Sequence, residues 1–241
     1  MKLAIIILCI FFGGCLGLQN DSQNKSLNSN KIKAKSLNVK YDSIYNRDCL
    51  YNDLSYNFDY EIKIEKFINK EKYNDSCIVN VIISDKKFHK KIDFLKLNLL
   101  FYYDNIFQNC DNVRSYFTGK NENQEVNDNN YGDFIVADFN FDTKEDIAII
   151  NECTNSGNLY SFYIQDKDCK YKLDKFLTDS MSYFPSEINK KSKTLVTYIV
   201  GGVCWIGEHK YKFDNKINKW KQISHKKINI CEEKISSQNS K

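Results

Sequence analysis

Four oxygen-bearing side chains, Asp138, Asn140, Asp142 and Asp146, stand at relative positions one, three, five and nine of one short stretch. A chain wound around a cation turns alternate residues inward, and hard Ca²⁺ takes about six to eight oxygen ligands. Asp138, Asn140, Asp142 and Asp146 would supply side-chain oxygens, and Lys144 its backbone carbonyl with the ammonium pointing away. Asp133, Glu145 or Glu152 could complete the shell. Three carboxylates in one bend repel one another, so the ion would be structural: it neutralises them and locks the bend. Lone Mg²⁺ suits the stretch less well, because it demands stricter octahedral geometry. The same residue types also build a solvated, Asx-rich β-turn, and that alternative stays open.

The stretch departs from an EF-hand at two positions. Position six is Thr143 where glycine is usual, and a β-branched residue resists the positive φ often used there. Position twelve is Ile149, so the bidentate glutamate is missing. The flanks read as strands, not helices. The stretch therefore resembles the calcium loop between two strands of FG-GAP and integrin-type propeller repeats, and the resemblance implies bound calcium.

Other chemistry is sparse. The histidines are His89, inside a lysine run, His209, after Glu208, and His225, beside Lys226 and Lys227. Neither HExxH nor GxSxG occurs, and no set of residues can be given catalytic roles, so an enzyme is not expected. The cysteines form no CxxC pair, which argues against zinc. The basic run at 86–91 reads as a solvated hairpin end, with contact to anionic glycan or lipid as the alternative.

The N-terminus carries Lys2, an apolar run over 3–12, and then Gly13, Gly14 and Cys15. Basic start, short apolar middle and small residues form a secretory signal layout. The run is about ten residues, against about 20 needed to cross a bilayer. Phe12-Gly13-Gly14-Cys15 resembles the lipobox of bacterial lipoproteins, with Phe12 where leucine is usual. That resemblance implies that Cys15 becomes the first mature residue and carries lipid. An ordinary signal cut elsewhere is the alternative. Leu16, where aspartate retains some lipoproteins at the inner membrane, points to an outer-membrane anchor facing the periplasm.

The formal charge is +4, carried by 35 basic and 31 acidic residues. So even a balance argues against a dedicated nucleic-acid binder. Of nine cysteines, Cys9 lies in the signal and Cys15 is the lipid site. Export makes disulfides the default for the other seven, which are odd in number, so at least one thiol stays free. Cys204 and Cys231 bracket a hairpin region and are the favoured pair.

Four segments follow: a signal at 1–14, a polar tether at 15–40, a β-rich globular domain at 41–231 and a polar tail at 232–241. Phe58, Tyr60, Ile62 and Ile64 alternate with charged residues, which is the period of a half-buried strand. Further strands are expected over 77–83, 94–103, 134–137, 147–150, 159–164, 195–200, 210–213 and 220–223, with turns at 166–168 and 214–216. The spacing of Ile106, Cys110, Val113 and Phe117 predicts one helix, and a second short one falls within 174–183. The fold class is mainly β, an antiparallel β-propeller-like or β-sandwich domain with few short helices.

After the acidic stretch come a Ser156-Gly157-Asn158 turn, a tyrosine-rich strand, the Gly201-Gly202 turn and an aromatic hairpin with Tyr211, Phe213 and Trp220. This order resembles a family of bacterial periplasmic lipoproteins that includes immunity proteins against peptidoglycan-cleaving effectors of type IV secretion. That family is similar to periplasmic lysozyme inhibitors. The resemblance covers under half the chain. It implies a protein partner, a glycan-cleaving effector or lysozyme, engaged by Ser156, Gly157 and Tyr160. A small turn can enter a groove while a tyrosine anchors it. A tight turn followed by a core tyrosine is the alternative. The function expected is therefore binding, as an envelope immunity protein or inhibitor. The alternative is an adhesive or structural surface lipoprotein.

Overall fold

The computed structural model describes residues 43–68, 75–101, 106–127 and 129–231. All belong to one unit, Val39–Lys241. The expected signal, Cys15, the tether and the tail lie outside the described residues.

Alternation builds the first sheet. Strands β1 (Ser43–Tyr51), β2 (Phe58–Ile68), β3 (Asp75–Asp85) and β4 (Lys90–Phe101) form an antiparallel meander. Phe58, Tyr60, Ile62 and Ile64 are buried, and the charged residues between them face outward or lie half-buried. Ile62 stands opposite Val81, and Val81 opposite Leu95. Such cross-strand apolar pairs are the stabilising units of a sheet face.

The second sheet contains β5 (Val113–Ser115), β6 (Phe134–Ala137), β7 (Asp146–Thr154), β8 (Gly157–Gln165) and β9 (Tyr171–Leu173) in that order. Only the β5–β6 pair is parallel. All four residues of β6 are buried, as its uninterrupted apolar run requires when both faces are covered. One cover is the first sheet: the Phe134 ring lies 5.2 Å from Tyr60 and 6.2 Å from Tyr51. On the other side Phe139, Phe162, Tyr160 and Phe184 pack as an aromatic cluster.

The third sheet is a meander of β10 (Glu187–Asn189), β11 (Thr194–Gly202), β12 (Trp205–Asp214) and β13 (Lys219–Asn229). Its Leu195, Tyr211, Phe213 and Trp220 join the common core. None of the three sheets closes on itself, and the arrangement fits a β-sandwich-like domain.

One expected helix does not form. Ile106 and Phe107 are buried in a turn, Cys110 is bonded to Cys49, and Val113 enters β5. Asn109 competes with helix by accepting the Asp111 N–H on its side-chain oxygen, at 2.9 Å. The second helical segment is a single π-type turn, Phe176–Met181, opened by Asp174, whose carboxylate accepts the Leu177 N–H. Cys204–Cys231 is bonded as expected, Cys169 is also in a disulfide, and Cys77 and Cys153 are free thiols.

Phe134 fills the space between two sheets, so Phe134→Ala should cost about 3–5 kcal/mol in urea unfolding. Val203→Ala, at a side chain 93% exposed, should stay within about 0.5 kcal/mol.

Candidate functional site

The acidic stretch is the turn from β6 to β7. Ala137 and Asp146 pair across its base. Asp146 is 0% exposed. Its Oδ2 accepts the N–H groups of Phe139 at 2.9 Å and Asn140 at 3.4 Å, and its Oδ1 accepts that of Gln165 at 2.9 Å. One carboxylate thus joins the start of the turn, its end and strand β8. Asp138 accepts the N–H groups of Asp142 and Thr143, both at 3.0 Å. Asn140 accepts the Asp142 N–H at 3.1 Å.

Alternation in the sequence becomes a two-sided turn. Phe139 and Phe141 go into the core: Phe139 lies 5.0 Å from the Phe162 ring and Phe141 6.1 Å from Trp220. Asp138, Asn140 and Asp142 bind the turn's own amides. Phe141 and Thr143 take φ of 61° and 72°. Thr143 therefore adopts the left-handed conformation despite its β-branch, with its amide held by Asp138.

Burial pushes Asp138 above the ordinary carboxylate range, and Asp146 well above it, where Asp142 and Asp138 add to the shift. Lys144 does not point away. Its Nζ lies 2.8 Å from Asp142 Oδ2, so the turn already holds one cation of its own. Glu145 faces the other way, accepting from Asn57 Nδ2 at 3.3 Å and the Tyr60 hydroxyl at 3.4 Å. Asp133 is likewise engaged elsewhere, and Glu152 is exposed on β7. The oxygen donors and the left-handed Thr143 suit a hard cation. As placed, however, the carboxylates are committed to backbone amides, and among the described residues no three His, Cys, Asp or Glu gather as a metal cluster. A cleft of about 200 Å³ opens beside the turn, lined by Asp138, Tyr116, Glu122, Ser186 and Lys190.

Ser156 and Gly157 lie at the far end of β7, where it turns into β8. Thr154 Oγ1 donates to Gly157 O at 2.7 Å and accepts the Ser156 N–H at 3.2 Å. Gly157 has φ 125°, and a Cβ there would sit 3.0 Å from Asn129 Cβ, so this position requires glycine. Tyr160 is 1% exposed, and its hydroxyl donates to Gly132 O at 3.0 Å. It is a core residue and cannot anchor a partner in this fold, because both ring and hydroxyl are spent inside. The Ser-Gly tip and the acidic turn are separated by the nine residues of β7, about 27 Å at strand rise.

Two residues that tie the site to its frame carry little sequence signal. Asp133, 3% exposed, accepts the Phe107 N–H at 2.8 Å and Asn112 Nδ2 at 2.9 Å. Burial pushes its pKa up to about 7. Arg114 is buried and donates to the carbonyls of Tyr131, Glu122 and Gln124 at 3.0, 2.8 and 3.2 Å. Arginine occurs only twice in this lysine-rich chain, at 47 and 114, and Arg47 also donates to a carbonyl, that of Gln108. That scarcity is the available signal: a planar fork does what a lysine cannot.

No family model and no curated protein matches the chain. A solved structure described as a Xanthomonas type IV secretion system related protein is similar to it, with TM-score 0.46 and 14% identity over 78% of this chain and 88% of that one.

The raised pKa of Asp133 has a defined sign. Between pH 3.8 and about 7 the unfolded chain releases this proton while the folded chain keeps it. Its contribution to stability is therefore whole below pH 3.8, falls as pH rises through that window and is flat above it. Urea midpoints of wild type and Asp133→Asn, taken from pH 4 to pH 8, should differ by an amount that shifts against wild type as pH rises. Parallel curves would contradict this.

Proposed function

We propose that the chain is an exported, lipid-anchored envelope protein that acts by binding, with Ca²⁺ held in the turn at 138–146. Asp138, Asn140, Asp142, Asp146 and the Lys144 carbonyl would hold the ion. What carries the reading is the two-sided turn, with rings in the core, oxygens opposite and Thr143 held at φ 72°. Calcium would take the lone pairs that the amide bonds leave free and offset the carboxylates' mutual repulsion. The partner proposed is a glycan-cleaving effector or lysozyme, approached by the tip at Ser156 and Gly157. Small residues at the end of a braced hairpin suit entry into a cleft. Tyr160 then serves by holding β8, not by contact. Cys15 would place the domain at the outer membrane, facing the periplasm.

Two experiments test this. Calcium should raise the melting temperature of the mature protein relative to EGTA, and Asp138→Asn should abolish the difference. An unchanged melt would remove calcium from the proposal. Against a panel of glycan-cleaving enzymes, the protein should inhibit at least one. Ser156→Trp should then weaken binding by about tenfold or more at unchanged melting temperature, the loss expected of a blocked contact centre. No inhibition across the panel would overturn the partner class.

A further inference from the structure

Two of the three histidines face each other across the third sheet. His209 on β12 is the direct register partner of His225 on β13. Their rings stack with centroids 4.3 Å apart and 19° between planes. Directly opposed residues of an antiparallel pair leave the sheet on the same side, and so does the residue two positions away. Gly207 is that residue. A Cβ built on Gly207 would lie 2.9 Å from His209 Nε2 and 3.6 Å from His225 Nε2. Both nitrogens therefore close on one point above Gly207, and the absent side chain leaves that point open. Gly207 has no left-handed φ, so the backbone does not explain its glycine; the space does.

The surroundings suit a ligand role. The Gln222 side-chain amide lies 3.2 Å from His209 Nδ1. The atom facing the ring is the amide nitrogen, which also donates to Ser224 O at 3.5 Å, so Gln222 holds the His209 ring in place. The nearby cations are engaged: Lys226 pairs with Glu208 at 3.7 Å, and Lys227 Nζ lies 4.8 Å over the Trp205 ring. The Cys204–Cys231 disulfide ties the entrance of β12 to the end of β13, so the register that opposes the two rings cannot slip.

The geometry points to a two-histidine site for a borderline transition ion, Zn²⁺, Ni²⁺ or Cu²⁺, held by His209 Nε2 and His225 Nε2 above Gly207, with water completing its coordination. Imidazole nitrogen suits these ions, whereas Ca²⁺ takes oxygen, so the site is chemically distinct from the acidic turn. In the stack the in-plane lone pairs run side by side, so binding requires the two rings to rotate out of it until both nitrogens face one ion at about 2.0–2.1 Å. The ion staples β12 to β13 in the half of the third sheet that has the least core beneath it.

Untagged mature protein titrated calorimetrically with Ni²⁺, and separately with Zn²⁺, tests this. One ion should bind per chain. His209→Ala and His225→Ala should each lower affinity by about tenfold or more, and His89→Ala should leave it unchanged. Gly207→Ala keeps both imidazoles but places a methyl group at the shared point, and it too should weaken binding. Because His225 is exposed, its variant keeps the fold, which circular dichroism checks. Wild-type protein that binds neither ion below about 1 mM, or His225→Ala that binds like wild type, would overturn the site.

Discussion

The buried carboxylate of Asp146 is the constraint on which the rest of the site depends. It accepts three backbone N–H groups, from Phe139, Asn140 and Gln165, and has no exposed surface. Those amides come from the turn's entry and from the far strand of the hairpin. Without the carboxylate they would be buried donors with no acceptor, each costing about 1–3 kcal/mol. Everything that gives the turn its two sides follows: Phe139 can enter the aromatic cluster only if its own amide is satisfied at the turn's edge. Asp138 repeats the device one level out, holding the amide of a threonine in a conformation that threonine resists.

The same strand that begins at this clamp ends at the Ser-Gly tip. Strand β7 is buried over its first five residues and alternates in exposure thereafter. One end is thus fixed in the core and the other projects, braced by Asn129 and by the Thr154 hydroxyl. Any effect of the turn on the tip passes along β7 and its pairing with β8. The bulge between Ile150 and Glu152 lies on that path, where added twist sets the direction of the projecting half.

Strand faces were legible wherever one side is solvated, because charge marks the outward residue. The period of two in β2 and the short apolar runs of β6 and β7 appear as read. The same reasoning failed over 106–117, since helical spacing of four apolar residues is also what a buried turn, a disulfide and a short parallel strand produce. Parallel pairing of β5 with β6 has no local signature at all. At the site, the positions of the oxygens were legible and their partners were not. Lys144 reads as outward from its place in a calcium loop, yet the nearest uncompensated charge is Asp142, and the side chain turns back to it. Tyr160 reads as an anchor through the family resemblance and as core through the turn before it; its parity with Phe162 on β8 places it inside. Asp133 and Arg114 bond to distant backbone, which no spacing reveals.

The clamp itself can be measured directly by native-state hydrogen exchange followed residue by residue in NMR. If Asp146 holds the turn, the amides of Phe139 and Gln165 exchange as slowly as those at the centre of β7, and Asp146→Ala releases both together while amides of β2 and β3 keep their protection. Exchange of the Phe139 and Gln165 amides at open-chain rates in the wild-type protein would contradict it.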